Sequence, residues 1–389
     1  MKARSMVYVH SVVAAALMLR LSPAQSQSPK QWIAGNLSLT AQKIEIDLLN
    51  ETLAATGACR LVKGQDVVLT ANSITGKMQG NEDIGEVKAR DQVKIVYKHR
   101  DEKGALMDVV GESSSASWQS GDKEAISLVG SARLEVQGSE PATLTADKID
   151  VDLQGSAFSA SGSCRLEARD GEITGNQMDG TIGSQGADKL TTTGNARIVY
   201  TLKDSGEGSR KLRGASSRIV WVAGKGTKGK VLLDGNAEVT LPQEGGSIEL
   251  GAPMADISLD SNSFVATGGC RLRMQSGVMT GSRMEGKLTA GDQFELHTTG
   301  KVAVNTEIAS GKGPARKVVA IGDRSVYRSA DDSLVIDGNA SLKVSGEGSE
   351  GANIRGDKIH INLRTKKVII ETDDPANPTQ LDFRKGEGK

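Results

Sequence analysis

Apolar and polar residues alternate with period two at many points along this chain. Ile44-Glu45-Ile46-Asp47-Leu48 and Ile149-Asp150-Val151-Asp152-Leu153 set aliphatic side chains against carboxylates, and Ile359-His360-Ile361-Asn362-Leu363 repeats the scheme with His and Asn. Successive side chains of a strand point to opposite faces, so this alternation predicts antiparallel strands with one face on a core and the other in water. Beyond the N-terminal apolar run, no stretch carries a convincing helical period.

The alternation is organised into repeats. Gly57-Ala58-Cys59-Arg60-Leu61, Gly162-Ser163-Cys164-Arg165-Leu166 and Gly268-Gly269-Cys270-Arg271-Leu272 stand 105 and 106 residues apart. Extended backwards without a gap, Ile44, Ile46 and Leu48 fall on Ile149, Val151 and Leu153, then on Ala255, Ile257 and Leu259, while Leu53 falls on Phe158 and Phe264. Apolar columns that keep register three times over identify a tandem repeat. A finer pattern of turn, small residue, any residue and aliphatic recurs at Asp91–Ile95, Gly130–Leu134, Gly194–Ile198, Gly235–Val239, Gly300–Val304 and Gly338–Leu342. With the three Cys versions this makes nine copies, 32 to 41 residues apart, and three of them fill each large unit. Ile359, Ile361, Leu363 and Val368 open a fourth unit that stops at the C-terminus.

The expected architecture is all-β: an elongated antiparallel array in which each module contacts its neighbours. Allowing about 10 residues per strand and turn gives about 35 strands, which two facing sheets would stack into a rod on the order of 80 Å long. The Gly- and Ser-rich stretches Ser205–Gly214 and Lys343–Gly351 are expected as long hairpin tips or hinges, and 373–389 as a frayed tail.

Composition narrows the function. Of 389 residues, 48 are basic and 48 acidic, so the basic excess of a nucleic-acid surface is missing. Aromatics make up 3% against 46 glycines, a balance that suits many short strands better than the core of a large enzyme. Residues 1–24 have the form of an export signal: Lys2 and Arg4, an apolar run from Val12 to Leu19, then Ser22-Pro23-Ala24. That run is far short of the ~20 residues a membrane span needs.

Candidate chemistry is sparse. Cys59, Cys164 and Cys270 occupy equivalent positions, which a regular rod would hold roughly 25 Å or more apart. A disulfide needs about 7 Å between Cα atoms. Other modules put Ala132, Ala196, Ala237, Ala340, Val93 or Val302 in the same slot, so the thiols are expected to fill small buried apolar sites. Gly224–Gly229 imitates a nucleotide-binding loop, but a strand-like Lys230-Val231-Leu232-Leu233 follows where a phosphate site needs a helix. His99, His297 and His360 form no i,i+4 pair and have no Cys neighbour that would suggest a metal ligand set. The plentiful carboxylates alternate with aliphatics on the expected outer face and single out no acid–base pair. No cofactor, metal site or catalytic constellation is expected.

Gly322-Asp323-Arg324-Ser325-Val326-Tyr327, Leu334–Leu342 and Ile354-Arg355-Gly356-Asp357-Lys358-Ile359 together resemble the OstA-type module of the LptA/OstA family, the periplasmic lipopolysaccharide transport proteins. Looser copies include Ile173–Met178 and Val278–Met284. The resemblance implies OstA-like units over 38–142, 143–248 and 249–372, forming an antiparallel β-jellyroll or solenoid with an apolar interior for acyl chains. It also implies a periplasmic bridge between an LptC-like inner-membrane anchor and an LptD-like outer-membrane translocon, with head-to-tail self-association through unpaired edges. The array is about twice as long as a single domain of that family, and its Cys column is not a family hallmark.

The residues expected to face the lipid are Ile44, Ile46, Leu48, Ile149, Val151, Leu153, Ile257, Leu259, Ile359 and Ile361. Packed core positions would carry the same residues. A closed-core β-solenoid acting as a surface scaffold is therefore the competing expectation, and it differs only in whether side chains fill the interior.

Overall fold

The computed structural model describes residues 29–79, 83–100, 106–120, 124–138, 141–183, 186–203, 209–224, 227–243, 246–288, 293–308, 316–346, 349–365, 367–372 and 380–384. The export signal expected over 1–24 lies outside them. Three short strands open the chain: β1 (Lys30–Ala34), β2 (Leu37–Ala41) and β3 (Lys43–Asp47). Long strands follow as hairpins: β4 (Thr52–Lys63), β5 (Val67–Gln79), β6 (Asp83–Arg100), β7 (Leu106–Gln119), β8 (Ala125–Gln137) and β9 (Ala142–Asp152). Then come β10 (Ala157–Ala168), β11 (Gly171–Gly183), β12 (Gly186–Lys203), β13 (Ser209–Gly224), β14 (Thr227–Gln243) and β15 (Gly246–Ser258). The last set is β16 (Ser263–Met274), β17 (Gly277–Leu288), β18 (Phe294–Ile308), β19 (Arg316–Arg328), β20 (Ser333–Gly346) and β21 (Ser349–Asn362), closed by β22 (Lys367–Glu371) and β23 (Gln380–Arg384). All belong to one antiparallel sheet of 23 strands, unclosed, in which each long strand pairs with its sequence neighbours.

The expected number and length of strands needs correction. Strands β4 to β21 run 11 to 18 residues, because the Gly-Asn type signals do not reverse the chain. Gly194 and Asn195 lie inside β12 at φ +71° and +55°, and corresponding pairs lie inside β4, β6, β8, β10, β14, β16, β18 and β20. Pairing continues on both sides of each pair with one extra residue in the bulged strand. Thr56 faces Ser73 and Cys59 faces Ala71, three steps against two. These are β-bulges, which bend a strand sharply without ending its ladder. They fall on every second strand, and all nine coincide with the nine sequence copies.

The bulges line up into a crease that folds the single sheet into two leaves. The first leaf contains the halves before the bulges, such as Thr52–Thr56, and the second the halves after them, such as Cys59–Lys63. The leaves pack face to face. A Cβ placed on Gly111 of the second leaf would lie 2.8 Å from Leu128 Cδ1 of the first, so close approach here requires glycine. Farther along, Thr298 Oγ1 of the first leaf donates to Met279 Sδ of the second at 3.1 Å. What looked like two sheets of ten-residue strands is one sheet whose strands each serve both leaves. Seventeen steps from β4 to β21, at ~4.8 Å each, still give about 80 Å along the sheet.

The unbulged strands brace the crease with short side chains. Ser114 Oγ hydrogen-bonds the Gly130 carbonyl at 3.2 Å, Ser282 Oγ that of Gly300 at 3.0 Å, and Asn339 Nδ2 reaches Asp323 at 2.9 Å. The stretches expected as hairpin tips or hinges flank the β12–β13 and β20–β21 hairpins, with Ser209–Gly214 in β13, and Lys343–Gly346 and Ser349–Gly351 in β20 and β21. The tail expected to fray contains β23, paired with the second-leaf half of β21.

Candidate functional site between the leaves

One apolar cluster fills the space between the leaves from Leu37 to Ile361. Its side chains come from the inward positions of every long strand, while the alternating outward positions carry the Lys, Arg, Asp and Glu of the two outer faces. The outer-face ion pairs, such as Lys94–Glu112 and Arg324–Asp337, are largely exposed and contribute little individually.

The ten expected lipid-facing residues all belong to the first leaf or to the turn that ends one of its strands. Ile149, Val151, Ile257, Leu259, Ile359 and Ile361 are buried in the cluster, and Ile44, Leu153 and partners such as Val368 are half-buried against it. Two expectations are corrected. Ile46 is 39% exposed and Leu48 80% exposed. On the first leaf β3 is the edge strand, with no further strand to cover Ile46, and Leu48 sits in the turn beyond its end.

The second leaf supplies the opposite wall, which the inward assignment omitted. Leu61, Leu134, Leu166, Leu272 and Leu342 are buried there. Each is the aliphatic residue that closes a copy of the nine-fold pattern, so the repeat itself contained the signal. A column of aromatics was missed as well. Trp118 pairs with Ile126, Trp221 with Val231 and Tyr327 with Leu334, equivalent positions of the first leaf near the mouth, the side away from the crease where hairpins end both leaves.

Side chains occupy this interior closely. Under Phe158 the hole between Leu134, Leu166 and Ile182 measures about 10 Å³, no more than a water's worth of space. On the outer face of the first leaf, a broad open depression of about 560 Å³ lies among Asp150, Asp152, Asp179 and Lys189. Inside, Phe158 packs over Gly180, its ring lying where a Cβ on that residue would be.

The interior holds little reactive chemistry. Cys59, Cys164 and Cys270 are free and buried on strands six apart in the sheet, each with Sγ toward a backbone carbonyl 3.4–3.7 Å away. Burial raises all three thiols above their ordinary range, with nearby Asp147 adding to the effect at Cys164. Burial also raises the Tyr97 phenol. Among the described residues no three His, Cys, Asp or Glu side chains converge as a metal site. Thr192 Oγ1 is buried with no partner, and Thr298 and Ser325 are polar groups in an otherwise aliphatic stretch.

No protein-family model matches the chain, and no curated protein matches it. Among solved structures, the chain is similar to the crystal structure of LptH, the LptA-homologous periplasmic component of the conserved lipopolysaccharide transport device of Pseudomonas aeruginosa. The identity is 16% and the TM-score 0.31, over 36% of this chain and 95% of that one.

Proposed function

We propose that this chain is exported to the periplasm and acts there, without catalysis, as a bridge that shields the acyl chains of an envelope lipid between its two leaves. Lipopolysaccharide is the cargo that the OstA-type sequence resemblance implies. The observation that carries this reading is the continuous apolar interior from Leu37 to Ile361, bounded along one side only by hairpins. Strand pairing joins the leaves at the crease, whereas at the mouth they can part without breaking a backbone ladder. A dozen methylenes moved from water into such an interior gain about 10 kcal/mol.

The two ends favour a bridge over an isolated carrier. Edges β1 and β3 at one end, and β22 and β23 at the other, leave backbone groups that a further strand could pair with. On the first leaf β22 runs parallel to the bulged strands and β3 antiparallel to them, so the β3 of a second copy would continue the alternation. LptC-like and LptD-like partners would use the same edges.

Native mass spectrometry of protein purified from its own envelope, combined with photoreactive residues at Ile149, Val151 and Ile257, tests the reading. Co-purified lipid with crosslinks from those positions is the expected result. The packed interior supports a second reading, a closed-core scaffold. Lipid-free protein with no crosslink at any of the three positions would establish that scaffold in its place.

A further inference from the structure

We propose that Lys63, Trp118 and Glu124 form a latch that holds the mouth shut in the first repeat unit and must release before an acyl chain can enter there. The inference rests on the lipid-binding reading for its purpose, though not for its geometry. Lys63 ends β4 on the second leaf, while Trp118 and Glu124 flank the β7–β8 hairpin on the first. Lys63 Nζ contacts Glu124 Oε1 at 3.1 Å and Ser120 Oγ at 2.9 Å, and lies 4.9 Å from the centre of the Trp118 ring. Trp118 Nε1 donates to the same Glu124 oxygen at 3.1 Å, fixing the carboxylate from the other side. A cation is thus bound by a carboxylate, a hydroxyl and an aromatic face, all from the opposite leaf.

Two features set this group apart. Among the described ion pairs it alone joins the two leaves, the others lying within one strand, between neighbouring strands of one leaf or, for Arg364–Asp332, between adjacent turns of one leaf. It is also the one in which both partners are under a quarter exposed, at 21% and 23%. The repeat shows that it is specific to one unit. Four residues after each Cys stand Lys63, Ala168 and Met274, so the cation occurs once, although the aromatic column continues through Trp221 and Tyr327. In the third unit Tyr327 Oη donates to Asp332 at 2.9 Å, an analogous contact to the following hairpin that lacks the cation. Packing needs only the aromatic. The added cation and acid tie the leaves together through groups that can exchange partners with water when the mouth parts.

The test is hydrogen exchange on the full chain, followed by uptake of cis-parinaric acid as a fluorescent acyl probe. Lys63→Met and, as a near-isosteric second variant, Glu124→Gln are each expected to speed exchange about tenfold in Lys63–Asp66 and in Ser120–Ala125, the factor expected from losing one charge-assisted contact. Exchange at Tyr327–Asp332 should not change, which separates latch release from general unfolding. The reversed pair Lys63→Glu with Glu124→Lys should restore slow exchange. Probe uptake should rise in the single variants and fall again in the reversed pair. Unchanged exchange at both hairpins in natively folded single variants would overturn the latch. Faster exchange without any probe uptake, in a protein that also purifies free of lipid, would leave the latch standing and remove the lipid reading.

Discussion

Replacing Gly162 with alanine perturbs the crease where its geometry is most constrained. Gly162 has φ +78°, and its added Cβ would lie 2.8 Å from the Asp147 Cβ on β9 and closer still to the carboxylate. The carboxylate can rotate away, but the Asp147 Cβ is fixed to its backbone, so a strand must shift. An L-residue in the left-handed region costs about 1–2 kcal/mol and overpacking about 1–3 kcal/mol, for a total of about 2–5 kcal/mol. In a quasi-one-dimensional array the loss should concentrate on β9, β10 and β11 rather than spread evenly. Native-state hydrogen exchange is the suitable assay, because a single unfolding midpoint would average over the array. The companion variant Gly162→Ala with Asp147→Gly removes the contact but keeps the backbone cost, and should recover about half of the lost protection. Ser163→Gly relieves the adjacent φ of +48° and should not destabilise the bulge through its dihedral angles. Unchanged protection in β9–β11 of Gly162→Ala would refute the reasoning that a fixed left-handed pair maintains the fold line.

Other outcomes follow from burial and titration. Ile149→Ala should cost about 2–5 kcal/mol, whereas Leu48→Ser should be nearly neutral, and thermal melts of the two variants check the contrast. Burial holds the thiols of Cys59, Cys164 and Cys270 and the phenols of Tyr97 and Tyr327 above their unfolded values. The unfolded chain therefore ionises first, so their contribution is complete below the ordinary thiol range and is lost as pH rises through it and then through the phenol range. Urea midpoints taken from neutral to strongly alkaline pH should fall, and a rise would contradict the sign. Ile369→Lys on the exposed face of edge strand β22 should leave the circular dichroism unchanged while weakening self-association in sedimentation velocity.

Much of this molecule was determined along the chain itself. Period-two alternation fixed which side chains could share a face, because neighbouring residues of any strand point oppositely whatever it pairs with. Ile149, Val151, Ile257 and Ile361 are accordingly buried and Asp150 and Asp152 are not. The 105-residue register likewise kept the cysteines apart, since equivalent positions in a stacked array cannot converge. Ile46 and Leu48 show where local pattern fails: the same alternation leaves them exposed because burial requires a covering neighbour, and on its leaf β3 has none.

Tertiary structure alone decided what happens at the glycines. Two successive residues with φ above zero are the signature of a tight hairpin turn and also occur in these bulges, so Gly194-Asn195 is compatible with either reversing the chain or bending it. The choice depends on whether the flanking segments pair with each other or with strands already in place on both sides. Here β11 and β13 pair with both halves of β12, the chain continues, and about 35 short strands become half as many long ones. The latch was hidden for the same reason. Lys63 and Glu124 stand 61 residues apart in sequence, and only the fold that bends one sheet into two leaves brings them within 3.1 Å.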